Sequence, residues 1–466
     1  MSKSKVIEVT EISIVDIGDQ GQGVGRAPDG KVYMVQNTVP GDIVHIEAKI
    51  RRGKVSYARP TSRIKDSEYR VTPFCAHFGS CGGCKWQHMS YEGQLKYKQK
   101  NVFDALTRIG GIQDPDIRPI SGVDQDRYYR NKLEFSFGAR WLEPDELNQD
   151  VPLIRQALGF HRPGSFEKII NVDHCYLQND PSNAIRNFIK DYSTEHNLSY
   201  YNVKEHNGLL RNITVRTNVA GDCMVTLIFG EDQPANIESI NQAIQEQFPN
   251  ITLYNIINTK WNDSIFNLTP VFIFGQGYLI EKLGDLKFKI GPKSFFQTNS
   301  KQAFRLYQFT EEFANLQGNE IVYDLYSGTG TIGLYLAHKA SKVICVEEIK
   351  EAVDDAHINA ELNKINNATF YTGDVMKMLK EGIFEKEGKP DLIILDPPRA
   401  GLHQDSIPFL TDIEVPRIVY ISCNPATQAR DIKLLSTKYR HIVSQPVDMF
   451  PHTAHIENVT LLELIK

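Results

Sequence analysis

The chain has 466 residues, 41% hydrophobic and 23% charged, with a formal net charge of -5; this accommodates about three globular domains, and there is no repeat or low-complexity segment. No apolar run approaches the roughly 20 residues of a membrane span, and Met1 to Ile14 lacks a secretion-signal core, so a cytoplasmic protein without membrane contact is expected. Seven cysteines in such a chain are poor disulfide candidates.

Residues 5 to 65 alternate apolar and polar in short runs broken by glycine-rich turns, which predicts a small β-barrel. Between Lys49 and Lys65 lie seven Lys or Arg, with Tyr57 among them and no acid. A run of that kind is ordinarily a solvated strand face; seven uncompensated cations on a barrel edge point instead to phosphate contacts.

Cys75, Cys81 and Cys84 follow, at spacings of five and two with glycines between them. That pattern suits an iron-sulfur cluster, with zinc as the competing occupant. Cys175, in a polar loop, is the best placed fourth ligand. Cys223 and Cys345 fall inside predicted strands and read as packing residues.

From residue 96 to about 290 the pattern is mixed, with a helix over Lys96 to Ile109 and strands over Lys132 to Phe137, Asn212 to Thr217 and Met224 to Phe229. Arg127-Tyr128-Tyr129-Arg130-Asn131-Lys132 interleaves cations with aromatics, which suits base stacking and phosphate contact. A surface loop feeding a strand is an equal reading.

From Phe295 onward the pattern is α/β. Strands are predicted at Val322 to Leu325, Val343 to Val346, Thr369 to Tyr371, Leu392 to Leu395, Ile418 to Ile421 and Val459 to Leu464, in a mostly parallel doubly wound sheet. After the first strand, Gly328, Gly330 and Gly333 make a tight turn into a helix, and Glu347 ends the second strand where a carboxylate can accept from both ribose hydroxyls. That pair fits either a dinucleotide or S-adenosylmethionine.

Asp324, Glu347, Asp374, Asp396 and Cys423 each fall at or beyond the carboxyl end of a predicted strand, so they are expected along one rim. The fourth strand runs into Asp396-Pro397-Pro398-Arg399-Ala400-Gly401, a proline-stiffened loop suited to a flat polar group. The fifth ends in Ser422-Cys423-Asn424-Pro425, which places a thiol at the rim. Were the last strand antiparallel, Glu457 would start it beside Cys423, a pairing of nucleophile and base.

These residues resemble the RNA uracil-5-methyltransferases that carry an N-terminal TRAM barrel and a four-cysteine [4Fe-4S] cluster. The match runs through the barrel, the four cysteines, Phe296-Gln297-Thr298-Asn299, the Asp324 to Gly330 turn, Asp396 to Gly401, Ser422 to Pro425 and His455-Ile456-Glu457. The resemblance implies an α/β chain: an OB-like TRAM barrel (1–66), a mixed α+β domain with the cluster loop (67–290) and a Rossmann-like methyltransferase domain (291–466). It further implies that Gln297, Tyr326, Glu347 and Asp396 contact S-adenosylmethionine, with Thr331 and Asp374 as further contacts. Cys423 matches the nucleophile, Glu457 the base, and Cys75, Cys81, Cys84 and Cys175 the cluster ligands. The turn reads Tyr326-Ser327 where relatives often have Phe-Cys.

The implied reaction is methylation of a uridine at C5, with 23S ribosomal RNA as partner because cluster-bearing members resemble the large-subunit rRNA enzymes more than the tRNA enzyme, which is shorter at its N-terminus. A tRNA methyltransferase, an NAD-dependent iron-sulfur oxidoreductase, a radical enzyme and a non-catalytic RNA-binding protein are the rivals. The oxidoreductase leaves Cys423, Glu457 and the basic barrel without a role. Nothing calls for an obligate protein partner.

Overall fold

The computed structural model describes residues 6–27, 30–49, 55–142 and 155–465. Strands β1 (Val6–Ile17), β2 (Gly23–Arg26), β3 (Val32–Val35), β4 (Ile43–Lys49) and β5 (Val55–Lys65) close a barrel in the order β1-β2-β3-β5-β4. Alternation does the folding: Ile12, Ile14, Tyr33, Val35, Val44 and Ile46 fill the interior while their neighbours face out. The predicted barrel is present, but its charge is less lopsided than the local sequence suggested. Arg59 lies opposite Glu47 and pairs with it at 2.5 Å, and Arg63 reaches Asp66 at 3.3 Å. Arg51, Arg52 and Lys54 lie outside the described residues.

Helix α1 (Tyr91–Asp104) is capped by Ser90, whose hydroxyl accepts the Gly93 amide at 3.2 Å, and continues into a π-turn over Ala105–Ile109. Val102, Ala105 and Leu106 pack against Tyr323, Ile344, Ile418 and Tyr420 of the C-terminal sheet. A segment early in the chain thus completes the core of the last sheet.

The central sheet has the order β12-β11-β10-β9-β6-β7-β8. Its strands are β6 (Lys132–Arg140), β7 (Gln156–His161), β8 (Lys168–Asn171), β9 (Leu210–Thr217), β10 (Cys223–Phe229), β11 (Thr252–Ile257) and β12 (Val271–Phe274), with α2 (Ser182–Glu195) and α3 (Pro234–Gln247) between them. A hairpin of β13 (Leu279–Leu283) and β14 (Leu286–Ile290) then leads to α4 (Ser300–Ala314), burying Leu279, Phe288 and Ile290 in the C-terminal core.

The C-terminal sheet is built from β15 (Ile321–Leu325), β16 (Lys342–Glu347), β17 (Ala368–Thr372), β18 (Leu392–Leu395), β19 (Arg417–Ser422), β20 (Tyr439–Val447) and β21 (Glu457–Leu464), in the order β17-β16-β15-β18-β19-β21-β20. The connecting helices are α5 (Thr331–Leu336), α6 (Lys350–Leu362), α7 (Val375–Lys380), α8 (Ile383–Glu387), α9 (Ser406–Asp412) and α10 (Pro425–Leu435). The strands from β15 to β19 are parallel, and β21 runs antiparallel to β19 with Ser422 opposite Asn458. All six predicted strands are present. Strand β20 was not anticipated, because its Arg, His, Ser, Gln and Pro residues break the apolar run that marks a central strand; it lies at the sheet edge, where Pro446 is tolerated. Among the described residues no helix is long and apolar enough to cross a membrane.

Candidate active site

The glycine turn lies at the carboxyl end of β15, where the strand order reverses between β15 and β18. The Tyr326 and Ser327 amides donate to the Val346 carbonyl at 3.0 and 3.1 Å, folding the turn over β16. Tyr326 has φ of 69° and Gly328 of 55°, so the chain turns through left-handed backbone here. Gly333 has no room for a side chain: a β-carbon would sit 2.7 Å from the Cys345 sulfur and 3.0 Å from Asp324 Oδ2, which its own amide reaches at 2.8 Å.

Glu347 is aimed by two backbone donors, with Oε2 accepting from the Gly328 amide and Oε1 from the Ile349 amide, each at 2.9 Å. Asp324 is buried beneath the turn and burial pushes its carboxyl up to about 8, while Oδ1 has no hydrogen-bond partner among the described residues. A buried polar atom left without a partner at such a turn is one that a donor on a bound ligand can complete.

Two other residues named from the sequence have jobs within the chain. Thr331 exchanges a hydrogen bond with the buried Tyr307 hydroxyl at 2.9 Å, and Asp374 caps α7 by accepting the Lys377 amide at 2.8 Å. Gln297 is fixed through its carbonyl, which accepts from Asn131 Nδ2 at 2.9 Å.

Cys423 occupies the turn between β19 and α10. Asn424 makes that turn by capping the helix through its side chain, with Pro425 in the first turn. Asn424 Nδ2 and the Thr427 hydroxyl both donate to the Arg399 carbonyl, at 3.1 and 3.2 Å, and the Leu402 amide donates to Asp431 at 2.8 Å. The Asp396 to Gly401 loop is therefore pinned to α10. This brings Asp396 and Arg399 beside the thiol, while antiparallel β21 brings Glu457 to the same rim.

Burial, then the neighbouring carboxylates of Glu457 and Asp396, push the Cys423 thiol up to about 11, and Arg399 opposes them. Burial also pushes Asp396 up to about 7 and, with Asp396 beside it, raises Glu457 well above the usual carboxylate range. Two neighbouring buried carboxyl groups resist simultaneous ionisation, and a carboxylate raised in this way is a stronger base than an exposed one. Alkylation of Cys423 by iodoacetamide is therefore expected to accelerate about tenfold per pH unit between 7 and 9, because only thiolate reacts. Arg399→Met should move that profile further alkaline by removing the stabilising cation; an unchanged profile would dismiss its electrostatic role.

Cys75, Cys81, Cys84 and Cys175 line one cavity walled by Phe78, Phe160, Val172 and Leu177. Among the described residues no three donors close into a set that holds a metal ion. His77 and His174 line the same cavity, so its walls carry four thiols, two imidazoles and no carboxylate.

Several side chains of Arg127 to Lys132 are already engaged within the chain. The Arg127 guanidinium lies 3.9 Å over the Phe74 ring, the Tyr128 hydroxyl meets His174 at 3.1 Å, and the Tyr129 hydroxyl donates to the Pro451 carbonyl at 3.0 Å. Arg127, Tyr128, Tyr129 and Arg130 all line a cavity of about 630 Å³, together with Lys301 at the start of α4.

Residues 207–465 match the family model described as tRNA (Uracil-5-)-methyltransferase, and residues 3–60 match the TRAM domain. The chain belongs to the tRNA (uracil-5-)-methyltransferase family. It is 48% identical over 451 residues to an uncharacterized RNA methyltransferase of Bacteroides thetaiotaomicron, covering 96% of this chain and 99% of that one. With an uncharacterized RNA methyltransferase of Porphyromonas gingivalis it shares 44% over 462 residues, 97% and 99% of the two chains. The solved structure of Pyrococcus abyssi tRNA (uracil-54, C5)-methyltransferase in complex with S-adenosyl-L-homocysteine is similar at 27% identity and a TM-score of 0.75, covering 97% of this chain and 100% of that one. The protein is thus an S-adenosylmethionine-dependent RNA methyltransferase with an RNA-binding TRAM barrel. The dinucleotide reading of the glycine turn falls away.

Proposed function

We propose that this methyltransferase acts on C5 of a uridine through a covalent bond between Cys423 and C6, with Glu457 as base. The meeting of Cys423, Asp396 and Glu457 at one rim, from β19, β18 and β21, carries the reading. Uracil C5 is too weak a nucleophile to take a methyl unaided. The Cys423 sulfur adds its electron pair to C6, the C5–C6 π pair moves toward C5 and O4, and C5 becomes nucleophilic. S-adenosylmethionine supplies the methyl and departs as S-adenosylhomocysteine. Glu457 then takes the C5 proton, the C5–C6 double bond reforms and the sulfur leaves as thiolate. Gln297, Tyr326, Glu347 and Asp396 hold the cofactor, with Thr331 and Asp374 as supporting contacts.

The target base must be unstacked to expose C5 and C6, at a cost of a few kcal/mol that phosphate contacts offset. On this reading residues 1–66 grip RNA, 67–290 shape the substrate cleft and 291–466 perform the chemistry. Changing Arg51, Arg52 and Lys54 together to alanine should weaken RNA binding and flatten its logarithmic salt dependence by about two units, since each phosphate contact on a single strand contributes about 0.7. Unchanged anisotropy titrations across salt would remove the barrel's electrostatic role.

The substrate we infer is 23S ribosomal RNA, on the four-cysteine resemblance. Transfer RNA is the second reading, favoured by the full-length likeness to the Pyrococcus abyssi enzyme, which takes away the argument from N-terminal length. Mapping 5-methyluridine in ribosomal and transfer RNA from cells with and without the protein decides between them; no lost site in either would end the proposal. The four cysteines are proposed to hold a [4Fe-4S] cluster. Protein purified without air should contain iron and acid-labile sulfide, and a colourless zinc protein would overturn this.

A further inference from the structure

Glu457 opens β21, and the segment that delivers it, residues 448–456, is held from outside the C-terminal sheet at several points. Asp448 is buried and receives Lys98 Nζ at 2.6 Å and the Tyr91 hydroxyl at 2.9 Å, and Lys98 also donates to the Phe450 carbonyl at 3.0 Å. His452 has φ of 63°, left-handed backbone that a residue with a β-carbon rarely adopts and that its surroundings must hold in place. Its carbonyl accepts the amides of Lys85 and Trp86 at 2.8 and 3.0 Å, the two residues directly after Cys84. Its own amide donates to Gln94 Oε1 at 2.7 Å.

Gln94 is buried in α1 and reaches both sides of this junction. Its Nε2 donates to the Met89 and Trp86 carbonyls, at 2.9 and 3.2 Å, and lies 3.2 Å from His452 Nδ1. The barrel abuts the same place: Trp86 Nε1 donates to the Gly21 carbonyl at 3.0 Å, and a β-carbon on Gly21 would stand 3.2 Å from the Ala454 β-carbon. Cys423, by contrast, is positioned by α10 and the Asp396 to Gly401 loop, and the Gln94 side-chain hydrogen bonds among the described residues run to Trp86, Met89 and His452 instead.

We propose that Gln94 is the positioning residue for the base: it clamps the turn after the four-cysteine loop to His452 and so sets where Glu457 stands. The inference rests on the covalent reading above, and it separates the two halves of that reaction. Thiolate addition and methyl transfer depend on the α10 side, whereas proton removal and release depend on the clamped segment. A Gln94 that merely satisfied buried amides would affect both halves alike, through stability.

The test uses full-length Gln94→Met and RNA from cells lacking the protein, grown with or without 5-fluorouracil. Fluorine replaces the proton that Glu457 would remove, so trapping on fluorinated RNA needs no base. The variant is expected to form that adduct as the unmutated protein does. On ordinary RNA a methylated, SDS-resistant adduct should accumulate in the variant alone, with turnover lowered on the order of 100-fold, as misplacement of a catalytic group by about 1 Å produces, and KM for S-adenosylmethionine unchanged. Unmutated turnover, or a parallel fall of turnover and fluorinated adduct matching the loss of near-ultraviolet dichroism, overturns the inference. If Gln94→Met does not fold, Gln94→Asn, shorter by one methylene, is judged by the same outcomes. Absence of the fluorinated adduct in the unmutated protein sinks the covalent reading and this inference with it; its presence without the second adduct sinks this inference alone.

Discussion

Cys423→Ala is expected to lower methyl transfer by about 10⁴-fold or more, the scale on which covalent catalysis fails when its nucleophile is removed. RNA and S-adenosylhomocysteine should bind as before, because the turn that carries the sulfur is made by the Asn424 cap and by contacts to the Arg399 carbonyl. Loss of one partly buried sulfur should cost stability no more than about 1 kcal/mol. Transfer of tritiated methyl to RNA and an SDS-resistant adduct with 5-fluorouracil RNA give the two readouts. An adduct that survives in Cys423→Ala, or that maps to another side chain, would falsify the assignment of the nucleophile.

Glu457→Gln is expected to show the opposite pattern, with the adduct forming and failing to leave. The substitution preserves shape and removes a carboxyl that burial already holds well above its ordinary range. The fold is therefore not expected to weaken, since a buried ionisable group is replaced by a neutral one of equal volume. Turnover should drop by roughly 10² to 10⁴, the usual contribution of a positioned base, while methylated RNA stays bonded to Cys423. A slow variant without trapped methylated RNA would place the base elsewhere, with Asp396 the next residue to test.

Both predictions concern residues that could be picked from the sequence, and the reason is local. Cys423 follows a short apolar run, and a strand of a parallel sheet places such a residue at one edge whatever the packing beneath; Glu457 opens the last run and reaches that edge only because the strand is antiparallel. The glycine turn was legible as a motif of successive residues, although the tightest clash that keeps Gly333 free of a side chain comes from Cys345 on the neighbouring strand β16. Where an argument depended on residues far apart, local pattern misled. Arg59 looked uncompensated because Glu47 lies on the neighbouring strand, and nothing local to Arg127 to Lys132 shows that the Arg127 guanidinium packs on Phe74 or that the Tyr129 hydroxyl is taken by the Pro451 carbonyl. Strand β20 was missed because its polar residues suit a sheet edge, which is a property of strand order.

By itself the sequence determined the barrel, the doubly wound sheet and the identity of the rim residues, because each follows from periodicity or from a motif contained in a few successive residues. Only the tertiary structure decided that α1 belongs to the C-terminal core and that Gln94 and Lys98 grip the segment leading to Glu457. Those contacts join residues about 350 positions apart, and a buried hydrogen bond between such distant groups leaves no trace in the local order of either.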